Sequence, residues 1–362
     1  MTTLTHRTFE LDAAELILGN SNKRFSGVTS TLLQVFPHQL KYMNTVIMGH
    51  HHIPNQDYCI SFWQACKICR RRLPNGKYRI FHARRNNEMI QALILKYVFF
   101  AKIKIAFTST AQRTHSKFTR FLISRMDSIV TTSVRAGSFL KKDADIIIPH
   151  GVQTEIFSPV HNKSDSLTSI GIQQNRGIGI FGRVRPQKGT HIFVHACLAL
   201  FKTRKDLAAV ICGGHSNKDR KFIDTLKNEI ARENMQDQFY FLGEQPFLKV
   251  AQIMASMELV CALSSHEGYG LTVPEALSCG VRVICTHAGA WPEIVRPGLD
   301  GNILHQRNVD DLKLLLEQAL DPDKKVSTEQ PELSQMRRAR ICKELDVETE
   351  ARRLCRHFMT LM

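Results

Sequence analysis

The stretch GIGIFGRVRPQKGTHIFVHACLALFKTRKDLAAVICGG (residues 177–214) decides the fold of this chain. It begins with an apolar run, passes through a basic turn into a helical pattern, and ends in a second apolar run. Apolar runs without polar alternation are typical of strands that are buried on both faces of a parallel sheet. A helix between two such runs completes a right-handed crossover, so the stretch predicts one βαβ unit.

The rest of the second half repeats this alternation of strand and helix. Further strands are expected at QFYFLGE, ELVCALSS, VRVICT and GNIL, and further helices at KDRKFIDTLKNEIAREN, FLKVAQIMASM and VDDLKLLLEQAL. Strands that alternate with amphipathic helices indicate a doubly wound, Rossmann-like α/β domain. Ligands of such domains bind beyond the carboxyl ends of the strands.

The first half shows the same scheme less regularly. Its expected strands are AELILGN, NTVIMGH, YRIFHAR, IKIAFTST, SIVTTS and ADIIIPH. We therefore predict two Rossmann-like doubly wound domains that face a central cleft. The boundaries predicted from composition are an N-terminal domain over residues 1–157, a polar linker over 158–175, a C-terminal domain over 176–340, and a C-terminal helix over 341–362 that packs back on the first domain.

Positive charge is concentrated in the first half. The 362 residues carry a formal net charge of +16. Residues 1–157 hold 22 Lys and Arg against 9 Asp and Glu, whereas the remainder holds 27 against 24. So one-sided an excess favours an anionic partner, either nucleic acid, anionic lipid or a phosphorylated substrate, over a merely solvated surface. Nucleic acid is the weakest of these alternatives because the chain has no recognisable DNA or RNA module.

The most apolar stretch, MIQALILKYVFFAKIKIAF (residues 89–107), contains three lysines. Three ammonium groups are too costly in hydrocarbon, so this stretch predicts a buried helix that runs into a strand. The first residues lack the pattern of a secretory signal. We expect a cytoplasmic protein that rests on a membrane surface. Its ten cysteines are then reduced thiols, and Cys66 and Cys69 lie on an amphipathic helix rather than in a metal site.

Two glutamates flank a glycine-containing turn in SSHEGYGLTVPEALSCG (residues 264–280). Glu267 follows a strand, and Glu275 lies in the first turn of the next helix. Carboxylates accept paired hydrogen bonds from vicinal hydroxyls, and a helix N-terminus favours an anion. The pattern therefore indicates a site for a sugar nucleotide. The alternative is that Glu275 only caps the helix and Glu267 is a surface charge.

A second motif, FGRVRPQKG (residues 181–189), places basic groups where the first strand of the same domain ends. Arg183, Arg185 and Lys188 are well placed to bind a diphosphate there. Neither motif is specific alone. Their order within one α/β domain makes the pair informative.

Together these motifs resemble the retaining glycosyltransferases of the GT-B class, and in particular the large bacterial family numbered four. Its pair of glutamates with seven residues between them matches Glu267 and Glu275. Its basic element matches Gly182, Arg183, Lys188 and Gly189. In the first half, NKRFSGVTST, FHARRNNEM and FTSTAQRTHSKFTRFLISRMDSIVTTS resemble more narrowly the lipopolysaccharide core mannosyltransferases of alphaproteobacteria.

The resemblance implies a role for each matching residue of the donor site. Arg183 and Lys188 would hold the donor diphosphate and stabilise the charge that develops as it leaves. Glu267 would contact the transferred hexose, and Glu275 the ribose hydroxyls. The remaining donor-binding positions would be Gly182, Gly270, Leu271, Thr272 and, in the first domain, Gly27. His82 would lie near the reacting hexose, or else be a hydrogen-bonded core histidine.

The resemblance also implies the substrates. The donor would be GDP-mannose, and the acceptor the Kdo-containing inner core of lipopolysaccharide on lipid A, bound by Lys23, Arg24, Arg84 and Arg85. No metal or other cofactor is expected, because arginine and lysine take the place of the cation. The alternatives left open are a UDP- or ADP-hexose donor, another glycolipid acceptor, and a non-catalytic sensor of nucleotide sugars in the same fold.

Overall fold

The structure, a computed structural model, describes residues 11–321 and 331–362. The described chain divides into two compact units. The first unit contains the residues up to Gly151 together with Val347–Met362, and the second unit contains Val152–Asp346. Each unit is an α/β layer structure with its own parallel sheet.

The sheet of the first unit has seven parallel strands in the order β3-β2-β1-β4-β5-β6-β7. The strands are β1 (Leu16–Gly19), β2 (Thr45–Met48), β3 (Cys59–Ile60), β4 (Arg79–Ala83), β5 (Ile103–Ser109), β6 (Ser128–Thr131) and β7 (Ile146–Ile147). The six strands predicted from apolar runs are all present. The seventh, β3, was not predicted because two residues carry no readable pattern.

Helices cover both faces of this sheet. They are α1 (Gly27–Gln39), α2 (Phe62–Cys69), α3 (Asn86–Tyr97), α4 (Lys117–Ile123) and α5 (Val134–Gly137). The buried residues of α2, α3 and α4 share one core with one face of the sheet, and those of α1 share another core with the opposite face. Helices α2, α3 and α4 therefore form one layer that covers a single face of the sheet.

The second unit has six parallel strands in the order β10-β9-β8-β11-β12-β13. They are β8 (Arg176–Phe181), β9 (Leu207–Cys212), β10 (Phe239–Gly243), β11 (Leu259–Ala262), β12 (Arg282–Cys285) and β13 (Gly301–Ile303). Its helices are α6 (Lys163–Ser169), α7 (Thr190–Leu200), α8 (Arg220–Arg232), α9 (Phe247–Ala255), α10 (Thr272–Ser278), α11 (Trp291–Ile294), α12 (Val309–Leu320) and α13 (Pro331–Glu344). All six predicted strands occur where the apolar runs lie.

The segment expected to be a linker belongs to the second unit. Residues 158–175 contain α6, whose Leu167 is fully buried, and the preceding Phe157 packs in the core of the second unit. The polar composition that suggested a linker is that of a short surface helix, since the Asn162 side chain accepts hydrogen bonds from the amides of Ser164 and Asp165. The first unit ends at Gly151 rather than at residue 157.

The C-terminal segment forms two helices rather than one. After α13, helix α14 (Val347–Leu361) belongs to the first unit, where Leu354 and Phe358 join the core that contains Leu32 of α1. Residues 341–346 remain with the second unit.

Both sheets reverse their strand order at one point, between β1 and β4 in the first unit and between β8 and β11 in the second. Such a switch point leaves a crevice beyond the carboxyl ends of the two strands, because their crossover helices lie on opposite faces. Both sugar-nucleotide motifs predicted from the sequence follow the switch-point strands β8 and β11.

Within the described part of the chain, no helix combines the length and apolar character needed to cross a bilayer. Over the same residues, no group of three or more His, Cys, Asp or Glu side chains is arranged to hold a metal ion. All ten cysteines are free thiols. Cys66 and Cys69 pack in the core beneath α2, and burial raises the pKa of the Cys69 thiol to about 12.

Candidate functional site

The switch point of the second unit brings the two motifs into direct contact. The Lys188 ammonium, from the turn after β8, pairs with the carboxylate of Glu267, from the loop after β11. The Ser264 hydroxyl donates to the same carboxylate at 2.6 Å. The side chains of Lys188 and Glu267 are 20% and 16% exposed. The predicted diphosphate cation and the predicted hexose carboxylate thus share one partly buried site.

Hydrogen bonds also join the two loops that carry this pair. The Ser265 amide donates to the Gln187 carbonyl at 2.9 Å, and the Gln187 side-chain amide donates to the His266 carbonyl at 2.6 Å. These contacts set the separation of Lys188 and Glu267 through the backbone. Hydrogen bonds between the loops therefore preorganise the pair.

Arg307 donates hydrogen bonds to both of these loops, and the sequence did not predict its role. It follows β13, and its guanidinium donates to the Leu263 carbonyl at 2.7 Å and to the Pro186 carbonyl at 2.9 Å. Burial lowers the pKa of Arg307 from its ordinary value. No motif marks this residue, because its partners are backbone carbonyls of segments far away in the sequence.

Trp291 supports the glycine turn that follows Glu267. Its indole N–H donates to the Gly270 carbonyl at 2.7 Å. Gly270 has φ +86°, and a Cβ atom there would lie 2.4 Å from the indole nitrogen. The packing of Trp291 thus requires glycine at position 270. From the sequence, this glycine was expected to allow close approach of a ligand.

Gly182 and Arg183 directly follow the carboxyl end of β8. The Arg183 side chain is exposed, and it makes no hydrogen bond or ion pair with any other residue that the structure describes. Gly182 is exposed as well, with φ +110°. This arginine is free to bind an anion at the mouth of the crevice.

Glu275 lies in the first turn of α10, after Leu271 and Thr272, which begin that helix. Its carboxylate has no hydrogen-bond or ion-pair partner among residues 11–321 and 331–362, although the side chain is mostly buried. Burial raises the pKa of this carboxyl from its ordinary 4.5 to about 7. A partly buried carboxylate without a partner among the described residues is suited to accept hydrogen bonds from the hydroxyls of a ligand.

In the first unit, Lys23, Arg24 and Gly27 lie in or just after the loop that follows β1, and all three are exposed. A Cβ atom on Gly27 would meet nothing within 4 Å. Internal packing therefore does not require glycine at position 27, which leaves room beside the start of α1.

Arg84 and Arg85, predicted to bind the acceptor, are half-buried and make hydrogen bonds within the first unit. The Arg84 guanidinium donates to the Gly19 carbonyl at 3.0 Å. The Arg85 guanidinium donates to the Ser26 hydroxyl at 2.7 Å and pairs with Glu88, a fully buried acid, at 3.1 Å. Arg84 thus joins the end of β4 to the end of β1, and Arg85 joins it to the loop after β1, which Arg85 helps to position.

His82 is buried near the end of β4, and its geometry is that of the core alternative. It is 3% exposed, its Nε2 lies 2.7 Å from the Thr108 hydroxyl, and its ring packs 4.9 Å from the ring of Phe358. Burial, and then the charge of Arg84, hold the pKa of His82 well below its usual range. The imidazole is therefore neutral at physiological pH.

A cavity of about 470 Å³ opens beyond the carboxyl ends of β2 and β3 in the first unit. No motif predicted it. Its lining includes hydroxyl, amide and imidazole groups set among apolar side chains. The polar members are Ser21, His50, Gln56, Ser61 and Gln91. Such a lining suits a ligand that carries both hydroxyl groups and an apolar part.

Two Rossmann-like units, each with its own parallel sheet, are the architecture of the GT-B class of glycosyltransferases. Residues 169–332 match the family described as glycosyl transferases group 1. The solved structure of Anabaena Alr3699/HepE in complex with UDP has the same fold, with a TM-score of 0.79 and 16% identity over 96% of this chain and all of that one.

Two curated relatives match over most of the chain. The lipopolysaccharide core biosynthesis mannosyltransferase LpcC of Rhizobium leguminosarum bv. viciae is 35% identical over 80% of this chain and 81% of its own length. The lipopolysaccharide core biosynthesis mannosyltransferase LpsB of Rhizobium meliloti (strain 1021) is 33% identical over 96% of this chain and 98% of its own. The chain belongs to the same glycosyltransferase family as these two enzymes, and it is a hexosyltransferase.

Proposed function

We propose that this enzyme transfers mannose from GDP-mannose, with retention of anomeric configuration, to the Kdo-containing inner core of lipopolysaccharide. The observation that carries this proposal is the match to a mannosyltransferase of lipopolysaccharide core biosynthesis across 96% of the chain, which includes both units. A match limited to the second unit would support only the use of a sugar nucleotide. The contacts of the donor site support the same reaction class.

At the donor site, Arg183 and Lys188 bind the diphosphate. As the sugar–phosphate bond breaks, the hexose gains positive charge and the departing phosphate gains negative charge. A lysine held in place by Glu267 stabilises that phosphate without having to reorganise, which is the largest contribution expected in such a reaction. No protein nucleophile is assigned, and no metal ion is needed in this scheme.

Glu267 and Glu275 bind the two ends of the donor. When the diphosphate binds Lys188, the Glu267 carboxylate shares its cation and accepts hydrogen bonds from the hexose hydroxyls. Glu275, which has no partner among the described residues, accepts hydrogen bonds from the ribose hydroxyls. Gly182, Gly270, Leu271 and Thr272 line the sugar and phosphate with backbone, and Gly27 leaves room for the donor in the first unit.

The acceptor binds to the first unit in this proposal. Lys23 and Arg24 are exposed cations that suit the phosphates and carboxylates of lipid A and Kdo. The 470 Å³ cavity provides hydroxyl and amide groups for its sugars. The enzyme then works in the cytoplasm, peripheral on the inner face of the cytoplasmic membrane, where such an acceptor is embedded.

The test is a transfer assay with purified enzyme, a panel of nucleotide sugars and a Kdo-bearing lipid A acceptor. We expect GDP release and a mannosylated product only with GDP-mannose, and an α-linked product by NMR. Turnover with a UDP- or ADP-hexose instead of GDP-mannose would contradict the mannose assignment. A β-linked product would contradict retention, and donor binding without any transfer would favour the sensor alternative.

A further inference from the structure

The outer side of the α2–α4 layer exposes large apolar side chains. We call six of them the aromatic face: Trp63, Tyr97, Val98, Phe100, Phe118 and Phe121. Trp63 is 69% exposed and Phe100 is 73% exposed. Single exposed apolar residues need no explanation, but six on one helical layer mark an interaction surface.

Helix α3 shows that this exposure is built into the sequence. Met89 and Leu95 point into the core, as expected of an amphipathic helix. Ile94, Tyr97 and Val98, spaced three and four residues apart, form a second apolar stripe on the solvent side. The solvent side of a helix in a soluble protein is normally polar. The apolar stretch over residues 89–107 is therefore longer than the core requires.

Neighbouring rings hold Trp63 of the aromatic face in place. Trp63 packs edge-on against Phe62 and Phe99, with ring centroids 5.7 and 5.6 Å apart. Phe62 also lines the 470 Å³ cavity. The aromatic face thus adjoins the cavity that the proposed function assigns to the acceptor.

The same layer is strongly basic. Residues 61–126 contain 15 Lys and Arg but a single acid, Glu88, which is buried with Arg85. Several of the cations are exposed beside the aromatic face, and the Arg125 guanidinium lies 5.2 Å from the Phe121 ring. Nine of these cations are exposed in the segment that carries the aromatic face, namely Lys67, Arg70, Arg71, Arg72, Lys77, Lys102, Arg113, Lys117 and Arg125.

We propose that the aromatic face docks onto an anionic lipid surface without crossing it. The rings enter the boundary between headgroups and acyl chains, where amphipathic aromatic side chains are favoured, and the flanking Lys and Arg bind headgroup phosphates. This rests on the proposed function in one respect, because an enzyme with a lipid-linked acceptor gains from being held at the bilayer.

Charge argues against the other occupants. A second copy of the chain would bring an equally basic surface against this one, and like charges repel. Nucleic acid would satisfy the cations, but it would leave aliphatic side chains such as Val98 without an apolar partner. An anionic bilayer complements both the charge and the apolar side chains.

Trp63 reports the docking directly. The chain has two tryptophans, and the other, Trp291, is 1% exposed in the second unit. Full-length protein is mixed with vesicles of phosphatidylcholine, with or without phosphatidylglycerol. We expect a blue shift of the tryptophan emission, and quenching by brominated acyl chains, only with the anionic vesicles.

The decisive variant is Phe100→Ser with Phe121→Ser, which leaves Trp63 in place. We expect its partition into anionic vesicles to fall by about tenfold or more, because burial of one phenylalanine side chain is worth about that factor. The matched control is Leu248→Ser with Leu314→Ser, two exposed leucines of the second unit, which should partition as the parent does.

Unchanged partition of the double phenylalanine variant, or an unshifted emission, overturns the proposal. Displacement of the vesicles by RNA would also overturn the proposal. So would formation of a dimer in which a soluble quencher no longer reaches Trp63. Transfer to an acceptor stripped of its acyl chains separates this inference from the proposed function. The double phenylalanine variant should transfer to that acceptor as the parent does, and vesicle docking without any mannose transfer would contradict the proposed function alone.

Discussion

The Glu275 carboxyl gives the second unit a pH-dependent stability. Its pKa is raised from 4.5 to about 7 in the folded chain, so the folded state binds this proton more tightly than the unfolded state does. The resulting stabilisation is complete below about pH 4.5 and is lost as the pH rises towards 7. Above that pH, folding requires burial of an ionised carboxylate.

The variant Glu275→Gln removes this cost. Near pH 8 we expect its free energy of unfolding to exceed that of the parent by about 1–3 kcal/mol, so that it unfolds at a higher urea concentration. Near pH 5 this difference should disappear. Donor affinity should fall about ten- to a hundredfold, since a charged acceptor of ribose hydroxyls is lost. Urea titrations at the two pH values and donor titration calorimetry measure both. Equal stability of the two proteins at both pH values would show that this carboxyl is not desolvated.

Lys188 and Glu267 act as a unit, because each is the charged partner of the other. We expect Lys188→Ala to lower kcat/KM by about two to three orders of magnitude, the usual loss when one preorganised donor to a leaving group is removed. Glu267→Gln should lower it too, and the double variant should lose less than the two single effects combined. The kinetics of the parent, the two single variants and the double variant form a double-mutant cycle. The control is Lys202→Ala, which changes an exposed lysine just after α7. Strict additivity would contradict the pairing.

The sequence predicted which residues belong to the donor site better than it predicted what surrounds them. Lys188 and Glu267 were found because each lies in a recognisable strand-to-helix turn, and the switch-point topology then brings those turns together. Their dependence on Ser264 and Trp291 could not be predicted, since a hydrogen bond between loops leaves no periodic signal. The half-buried setting of Arg84 was not predicted for a related reason, because a polar residue at a strand end looks the same whether it faces solvent or core. For His82 the same ambiguity left both readings open.

At the level of elements, the strands were predictable wherever an apolar run was long enough to be read. All six strands of the second unit lie in such runs, and only the two-residue β3 of the first unit was missed. Boundaries were less predictable. A polar segment with a capping asparagine was taken for a linker, although Leu167 and Ile172 pack it into the core of the second unit.

Arg307 extends the donor site to a third loop. Because one guanidinium bridges the carbonyls of Leu263 and Pro186, it positions the β11 and β8 turns relative to each other. We expect Arg307→Lys to weaken donor binding by roughly tenfold, since an ammonium lacks the planar fork that reaches both carbonyls. Titration calorimetry with the donor measures this effect. Arg296→Lys, an exposed arginine paired with Glu344, should bind donor as the parent does. Full affinity in the Arg307 variant would confine its role to stability.

At the level of the whole molecule, the first unit is completed by the end of the chain. The sheet of this unit is covered on one face by α1 and by α14, so part of that face stays exposed until α14 packs there. Glu350 of α14 reinforces the closure, since it pairs with His150 at 2.8 Å and accepts the Gly151 amide at 2.7 Å. The second unit is continuous in sequence and has no such dependence.

This arrangement predicts that damage to α14 acts on the first unit while the donor site remains intact. Phe358 is fully buried against the sheet, so Phe358→Ala should cost about 3–5 kcal/mol, whereas Met359→Ala, on the exposed side of the same helix, should cost little. Because the donor residues Lys188, Glu267 and Glu275 lie in a unit that does not contain α14, the affinity for donor should be the same in both variants. Chemical unfolding followed by a probe in each unit, together with donor titration, tests this directly. Loss of donor affinity in Phe358→Ala with no change in Met359→Ala would instead mean that the two units fold as one.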